Sequence, residues 1–420
     1  MSKFDNPFLY LVCLYIIVMP ILPSKFAIGR VPINGDIILV IIFAIYLIKV
    51  IVLKNSRHRF VLGIKNFFKD YLSIFMLIYI FMLCFSISYS MDKKLAIQED
   101  IRFISYFALF FIIKYEINLS KAIDKLLYCY VFVCGIVFTY GIADFINTNL
   151  HSSMHNVLSN RISSTLENSN NLGIFAIIAI FPFIMLAINE TRKKIKILFL
   201  ILTLLALGNI IISFSRNAWI GLIIGCLVLI VLYSPKFAKL FILLAGILVL
   251  IKPIRIRLLQ ITDMSQNITR IKLWETAGYM IKDHSLLGVG SGNFRAFYPQ
   301  YTKLHPELLK DIVQTPYFHP HNVFLKVQCE LGIIGTFAFG GLMVSIIIKL
   351  KEFIRKYEDP FYNAFFKGFL ISVIVFLIMN LIDDFFSAPK VAVFFWILIA
   401  ISQSLIYNVD KNQINCYNSK

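Results

Sequence analysis

Apolar runs long enough to cross a bilayer, or nearly so, recur along almost the whole of this 420-residue chain. They lie at about 7–22, 36–53, 72–89, 101–115, 122–147, 172–188, 195–213, 217–234, 237–251, 321–349, 364–382 and 390–408. A hydrocarbon core roughly 30 Å thick needs about 20 helical residues, and in lipid every backbone N–H and C=O must be satisfied within the chain. The composition agrees: 59% of residues are hydrophobic and 15% charged, where a soluble domain carries about 25% charged residues. These features predict an all-α, polytopic membrane helix bundle of about twelve transmembrane helices, with residues 1–420 as one transmembrane domain. No small-residue cleavage site follows the first run, where Pro20-Ile21-Leu22-Pro23 stands instead, so that run is read as a retained span.

The formal net charge of +18 does not point to nucleic acid, because the basic residues sit in short connections between apolar runs. The connection 54–70 holds Lys54, Arg57, Arg59, Lys65 and Lys69; 189–196 holds Arg192, Lys193, Lys194 and Lys196; 350–363 holds Lys351, Arg355 and Lys356; Lys236 and Lys239 flank a further turn. All are even-to-odd connections, and the intervening ones are poorer or mixed. By the positive-inside rule both termini are cytoplasmic. Of the seven cysteines, Cys13, Cys84, Cys129, Cys134, Cys226 and Cys329 fall in apolar runs and Cys416 in the tail, a spacing that suggests neither a disulfide framework nor a metal site.

One connection differs. Residues 252–320 form a polar loop of about 70 residues between the ninth and tenth runs, on the extracytoplasmic (periplasmic) side by the same alternation. Loops of that length usually have a function. Within it, Arg270 to His284 reads as an amphipathic helix with Ile271, Trp274, Gly278 and Ile281 on one face. Glycines 288, 290 and 292 end it, and a second helix-like stretch follows at Pro306 to Val313.

Three polar clusters lie at the outer boundary. Ser215-Arg216-Asn217-Ala218-Trp219 occupies a tight connection, where an unpaired charge costs a few kcal/mol or more; the alternative is an interfacial anchor with Trp219 in the aromatic belt. Gly288-Val289-Gly290-Ser291-Gly292-Asn293-Phe294 follows the loop helix, and such glycines let backbone amides approach a phosphate, although no nucleotide fingerprint is present. His319-Pro320-His321-Asn322 precedes the tenth run. No carboxylate or cysteine completes a metal set with these histidines. Mid-membrane charge is scarce apart from Lys326 and Glu330, spaced to pair along one helix. Transporters need ionisable groups near the bilayer centre, so a flippase or transporter is a poorer reading than chemistry at the outer surface. A sensor or structural membrane protein is a further alternative, in which these residues change singly without effect.

The string His321-Asn322, nine residues, Gly332-x-x-Gly335-Thr336 resembles the hallmark motif of the bacterial O-antigen ligases. Three other features are similar to the wider O-antigen ligase and polymerase superfamily. They are Arg216 in its Ser-Arg-x-x-Trp context, Arg270-x-x-x-Trp274 leading to the glycine turn, and Glu167-Asn168-Ser169-Asn170-Asn171-Leu172-Gly173. The resemblance runs from about 160 to 345. It implies a multi-pass protein of the cytoplasmic (inner) membrane whose active site faces outside. Such an enzyme moves a glycan from undecaprenyl diphosphate to an acceptor hydroxyl, a lipid A–core sugar in a ligase or another lipid-linked glycan in a polymerase. The enzyme would be a glycosyltransferase of lipopolysaccharide or other cell-envelope polysaccharide synthesis, without cofactor or metal, and with membrane lipid as its surroundings. The Ile-, Lys-, Phe- and Asn-rich composition hints at an AT-rich genome; in an organism lacking lipopolysaccharide the acceptor would be another cell-surface polymer or protein.

The chemistry suits these residues. The hydroxyl needs a base near neutral pH, and histidine's ordinary pKa of about 6.5 fits, so His321 is the expected general base. Arginine gives planar, permanently charged donors for a diphosphate leaving group, so Arg216 and Arg270 are assigned to it. Asn322, Trp274, Gly290, Asn293, His319 and Asp384 are expected substrate-binding residues, with Asp384 a candidate to orient His321 and His319 a candidate to replace it. Arg255, Arg257 and Arg295 are candidates to attract an anionic acceptor.

Overall fold

The computed structural model describes residues 5–23, 27–28, 31–32, 35–117, 120–149, 161–233, 267–309 and 319–418, with isolated residues between them. The expected ninth span at 237–251, Arg257, Lys236, Lys239 and residues 310–318 lie outside the described residues.

The described chain is almost wholly helical. Its helices are α1 (Asp5–Ile21), α2 (Gly35–Val52), α3 (Lys54–Phe67), α4 (Tyr71–Ser86), α5 (Lys93–Phe111, continued by a π turn over Ile112–Glu116) and α6 (Ser120–Asn149). There follow α7 (Ser169–Asn189), α8 (Lys193–Ile212), α9 (Arg216–Leu232), α10 (Ile268–Asp283), α11 (Phe294–Leu304), α12 (Val323–Lys356), α13 (Pro360–Met379) and α14 (Pro389–Asn418). A two-residue antiparallel pair, Ala27–Ile28 with Val31–Pro32, joins α1 to α2. Apart from 237–251, each apolar run of the sequence coincides with one of these helices. Among the described residues seven helices are long and apolar enough to cross a membrane, or eight if α3 and α4 form one bent span.

Side-chain caps set several helix starts. Asp92, Asn168, Ser215, Asn322 and Asp359 each accept backbone N–H groups of the first turn that follows them, satisfying donors that the helix itself cannot. Burial then sorts the spans. In α7 and α14, 83% of the apolar window is buried, against 28% in α2 and 33% in α8. The first pair therefore forms the centre of the bundle, and the second presents Val40, Leu47, Ile51 and Leu204 to lipid. The interior is aromatic: Trp396 meets Phe107 edge-on at 4.9 Å, and Phe376 stacks on Phe395 at 4.8 Å.

The connection 54–70 is no loop. It is the helix α3, turned by 88° against α4. Ser56, Gly63 and Phe67 face inward at helical spacing, and Arg59 donates to Glu116 at 2.7 and 2.8 Å. The helix ends here also bury charge. Glu116 is further paired with Lys49 at 2.9 Å, and Asp70 takes Lys114 at 2.7 Å and Lys349 at 3.1 Å. These ions come from separate elements, and their pairing emerges only when the helices pack.

Two glycine-bearing motifs complete each other. In α12, Gly332 adopts φ 63°, ψ −163° and breaks the helix. The turn after α10 docks on that break: Val289 N donates to Cys329 O at 2.9 Å and Gly290 N to Glu330 O at 2.8 Å. Glu330 reaches back, accepting from Gly292 N at 2.9 Å and Phe294 N at 3.4 Å. A Cβ on Gly332 would stand 2.1 Å from Leu286 O, and one on Gly288 2.4 Å from the Glu330 carbonyl carbon, so both positions need glycine. A helix broken within a membrane protein must have its freed carbonyls satisfied, and the glycine turn does this.

Candidate functional site

The hub of the site is Asp383, in the short connection between α13 and α14. Its carboxylate is buried and gathers groups from distant parts of the chain. Oδ1 lies 3.0 Å from His321 Nδ1; Oδ2 accepts from Asn217 at 3.3 Å and from Asn170 at 3.4 Å, and Arg270 stands 3.8 Å away. Burial pushes the Asp383 carboxyl up, but the hydrogen bond and charge of His321, with Arg270 adding to them, prevail and hold it below the usual carboxylate range. An ionised Asp383 fixes the tautomer of His321. Nδ1 carries the proton toward the carboxylate, which leaves Nε2 as the basic nitrogen. The His321 side chain is 34% exposed, so the ring is accessible from outside the protein.

A second arginine-bearing layer surrounds Asn170. Arg161 donates to Asn170 Oδ1 at 2.7 Å and to Ser213 O at 3.2 Å, and Ser215 Oγ donates to the same Asn170 oxygen at 3.0 Å. Arg216, the first residue of α9 and half-buried, stands between Ser215 and Asn217, both tied into this network. Among the described residues the non-glycine positions with positive φ are Ser164 (50°), Glu167 (63°), Phe214 (46°) and His321 (51°). All four fall on the segments that build this cluster. Such conformations cost of order 1–3 kcal/mol each and concentrate at functional sites.

His319 differs from its neighbour. Its Nδ1 accepts the His321 backbone N–H at 3.1 Å, and the two rings lie 4.4 Å apart. Burial pushes its pKa down to about 4. His319 is thus a neutral acceptor that shapes the turn, with Nδ1 already occupied.

Behind Asp383 lies a buried ionic cluster. Lys326 donates to Glu99, to Asp384 at 3.1 Å and to Ser387 at 2.9 Å, and Glu99 also takes Arg102 at 2.7 Å. Burial pushes the Asp384 carboxyl up, yet Lys326, His319 and Ser387 together hold it far below its ordinary value. A cavity of about 10 Å³, lined in part by Glu99, Lys326, Glu330, Ser291 and Asp384, adjoins the cluster. It is the size of one water molecule.

Several assignments made from sequence change here. Asp384 pairs with Lys326, and its neighbour Asp383 is the group that orients His321. Lys326 does not pair with Glu330 along the helix, because Glu330 is engaged by the glycine turn. Asn322 caps α12, accepting from Phe324 N and Leu325 N at 3.0 and 3.1 Å. Trp274 Nε1 donates to Pro320 O at 2.9 Å and straps α10 to the histidine turn. Asn293 is fully buried, with its amide engaged by Asp92 and Ser291. The N–H of Gly290 is taken by Glu330 O, so this turn holds protein carbonyls where a phosphate cradle was expected. Trp219 is buried and donates to Ile210 O at 2.9 Å, so it is no interfacial belt residue. The loop helix exists, but Leu273, Thr276, Ala277 and Met280 form its buried stripe, next to the expected one. Beyond it α11 went unforeseen, and a 3-10 turn at Pro306–Leu309 begins the second expected stretch. Arg255 and Arg295 are exposed.

The sequence reading missed Arg161 and Asp383 as site residues, and held Asn170 and Asn217 only within motifs. A signal for Asp383 was available in the paired acids between two spans. Arg161 had none beyond its neighbours.

The cluster thus joins a carboxylate-oriented, part-exposed histidine, arginines on two sides, and a lip at one end of an apolar bundle. That arrangement can take a proton from a hydroxyl and stabilise an anionic leaving group. Among the described residues no three His, Cys, Asp or Glu side chains are placed to hold a metal ion. No curated protein matches the chain. Residues 200–340 match the family model described as O-antigen ligase, a stretch that holds Arg216, all of α10 and the His321–Asn322 turn. With the apolar helices around it, that match supports the O-antigen ligase superfamily as the family of this membrane protein.

Proposed function

We propose that this chain is an O-antigen ligase-like glycosyltransferase that moves a glycan from undecaprenyl diphosphate to an acceptor hydroxyl on the outer face of the cytoplasmic membrane. The lipid A–core sugar of lipopolysaccharide, or another surface polymer, is the acceptor. The observation that carries this reading is the His321–Asp383–Arg270 constellation. His321 Nε2 removes the acceptor hydroxyl proton as the oxygen attacks the anomeric carbon. The new glycosidic bond forms while the bond from that carbon to the diphosphate oxygen breaks. Undecaprenyl diphosphate leaves with the electron pair, and Arg270 and Arg216 stabilise the charge. At 3.8 Å, Arg270 is at the limit of an ion pair with Asp383, so phosphate oxygens can recruit it. The polyprenyl tail stays in lipid beside the bundle. With twelve spans and both termini cytoplasmic, as the sequence predicts, this site faces outside.

In a deletion strain, His321→Ala is expected to insert normally and to lose transfer by roughly 100- to 10,000-fold, the range for removing a general base. Lipid-linked polymer then accumulates without attachment. Near-normal attachment by this variant excludes His321 as the base. A wild-type complement that restores chain length while attachment stays unchanged marks a polymerase, which joins lipid-linked repeat units at the same site chemistry.

A further inference from the structure

The helix α3 has three faces, and only one of them belongs to the protein interior. Ser56, Gly63 and Phe67 pack inward. Roughly a third of a turn round the helix lie Val61 (46% exposed), Ile64 (37%) and, just past its end, Phe68 (63%). Beyond these, roughly opposite the buried face, come Lys54, His58 and Lys65, with Lys69 following, all exposed. No acidic side chain occurs between Lys54 and Lys69. Two of the other cations are already engaged: Arg57 donates to Val50 O and Ile51 O at the end of α2, and Arg59 to Glu116. Lys54, Lys65 and Lys69 make no ion pair among the described residues.

The helix is held firmly. Arg59 with Glu116 pins its first half, and Asp70, just beyond its end, is fixed by Lys114 and Lys349. Its axis is turned 88° from α4, which lays it across the end of the bundle. An apolar strip beside a strip of free lysines, on a helix lying flat where spans end, is the pattern of an interfacial helix. The apolar strip enters the acyl boundary and the lysines meet headgroups. Charge complementarity selects among headgroups, because each lysine near an anionic surface contributes about as much as a fivefold gain in binding.

We propose that α3 is a binding surface for anionic phospholipid, with Lys54, Lys65 and Lys69 contacting the headgroup and Val61, Ile64 and Phe68 contacting its acyl chains. This surface stands apart from the Asp383 site, at the opposite end of α12.

The test uses the purified full chain and native mass spectrometry with added phosphatidylglycerol or phosphatidylcholine. Wild type is expected to retain phosphatidylglycerol in preference to phosphatidylcholine. Lys54→Gln/Lys65→Gln/Lys69→Gln is expected to lose that retention by about tenfold or more. Lys193→Gln/Lys194→Gln/Lys196→Gln, which removes the same charge from the exposed start of α8, is expected to change it by less than about twofold. Equal losses in the two triple variants would reduce the effect to net charge and overturn the proposal. So would unchanged retention in the α3 variant.

Discussion

The two ends of this bundle are built from the same chemistry and put it to different uses. At the α3 end, Glu116 receives Lys49, Arg59 and the Ser56 hydroxyl, while Asp70 receives Lys114 and Lys349. Each carboxylate is saturated by fixed cations, and no described non-glycine residue there has a positive φ. At the other end Asp383 receives two neutral amides, a titratable ring and one arginine at the edge of contact. The backbone around it is strained at four positions. A buried carboxylate with its full complement of cations is a strut. Asp383, met mostly by neutral groups and beside a part-exposed histidine, marks the candidate site.

Breaking the ionic cluster at either end should cost stability, and only one end should also lose chemistry. Lys326→Met leaves Asp384 buried without its lysine and Glu99 with Arg102 alone, and Glu116→Ala does the reverse to Lys49 and Arg59. Each is expected to destabilise by about 3–5 kcal/mol, read as a drop in the melting temperature of the purified protein. Turnover per folded molecule should fall only for Lys326→Met, because Asp384 adjoins the hub through its N–H to Asp383 Oδ1 at 3.0 Å. Loss of turnover in folded Glu116→Ala would erase the distinction between the ends.

The arginines sharpen it further. Arg270→Gln is expected to lower transfer by roughly 100- to 1000-fold, the effect of removing one electrostatic contact to a developing charge. Arg59→Gln should leave turnover of the folded protein within about twofold. Radiolabelled glycan transfer in membrane vesicles, normalised to folded protein, measures both.

A smaller effect comes from His319. Its pKa is about 4 in the fold and about 6.5 when unfolded. Between those values the unfolded chain holds a proton that the folded chain lacks, so stability falls as pH drops from about 6.5 toward 4. The shift corresponds to up to about 3 kcal/mol. His319→Gln, which retains an acceptor for the His321 N–H, should flatten that limb in melting curves taken from pH 7 to 4.5. An unchanged limb would show that His319 is not its source.

Much of the bundle was legible because hydropathy is local: an apolar run long enough to span is visible without its neighbours. The interfacial α3 was hidden by its basic residues, which read as a connection until Ser56, Gly63 and Phe67 are seen to share an inner face. At the candidate site, His321 and the two arginines stood out in the sequence because each carries distinctive chemistry at a helix end, and His321 and Arg270 converge on Asp383. Asp383 and Asp384 are adjacent and chemically alike, and only three-dimensional packing decides that Lys326 takes one and His321 the other. For the same reason Asn293 and Gly290 resembled ligand-binding groups. Their partners, Asp92 and the carbonyl of Glu330, lie far away in sequence.

The orientation of His321 by Asp383 is tested most directly by the steady-state kinetics of Asp383→Asn in proteoliposomes supplied with lipid-linked donor and acceptor. The amide keeps the shape and removes the charge that holds the proton on Nδ1. The account predicts that kcat falls by about 100-fold or more, with KM for the donor nearly unchanged and the protein folded. A kcat within threefold of wild type would contradict it.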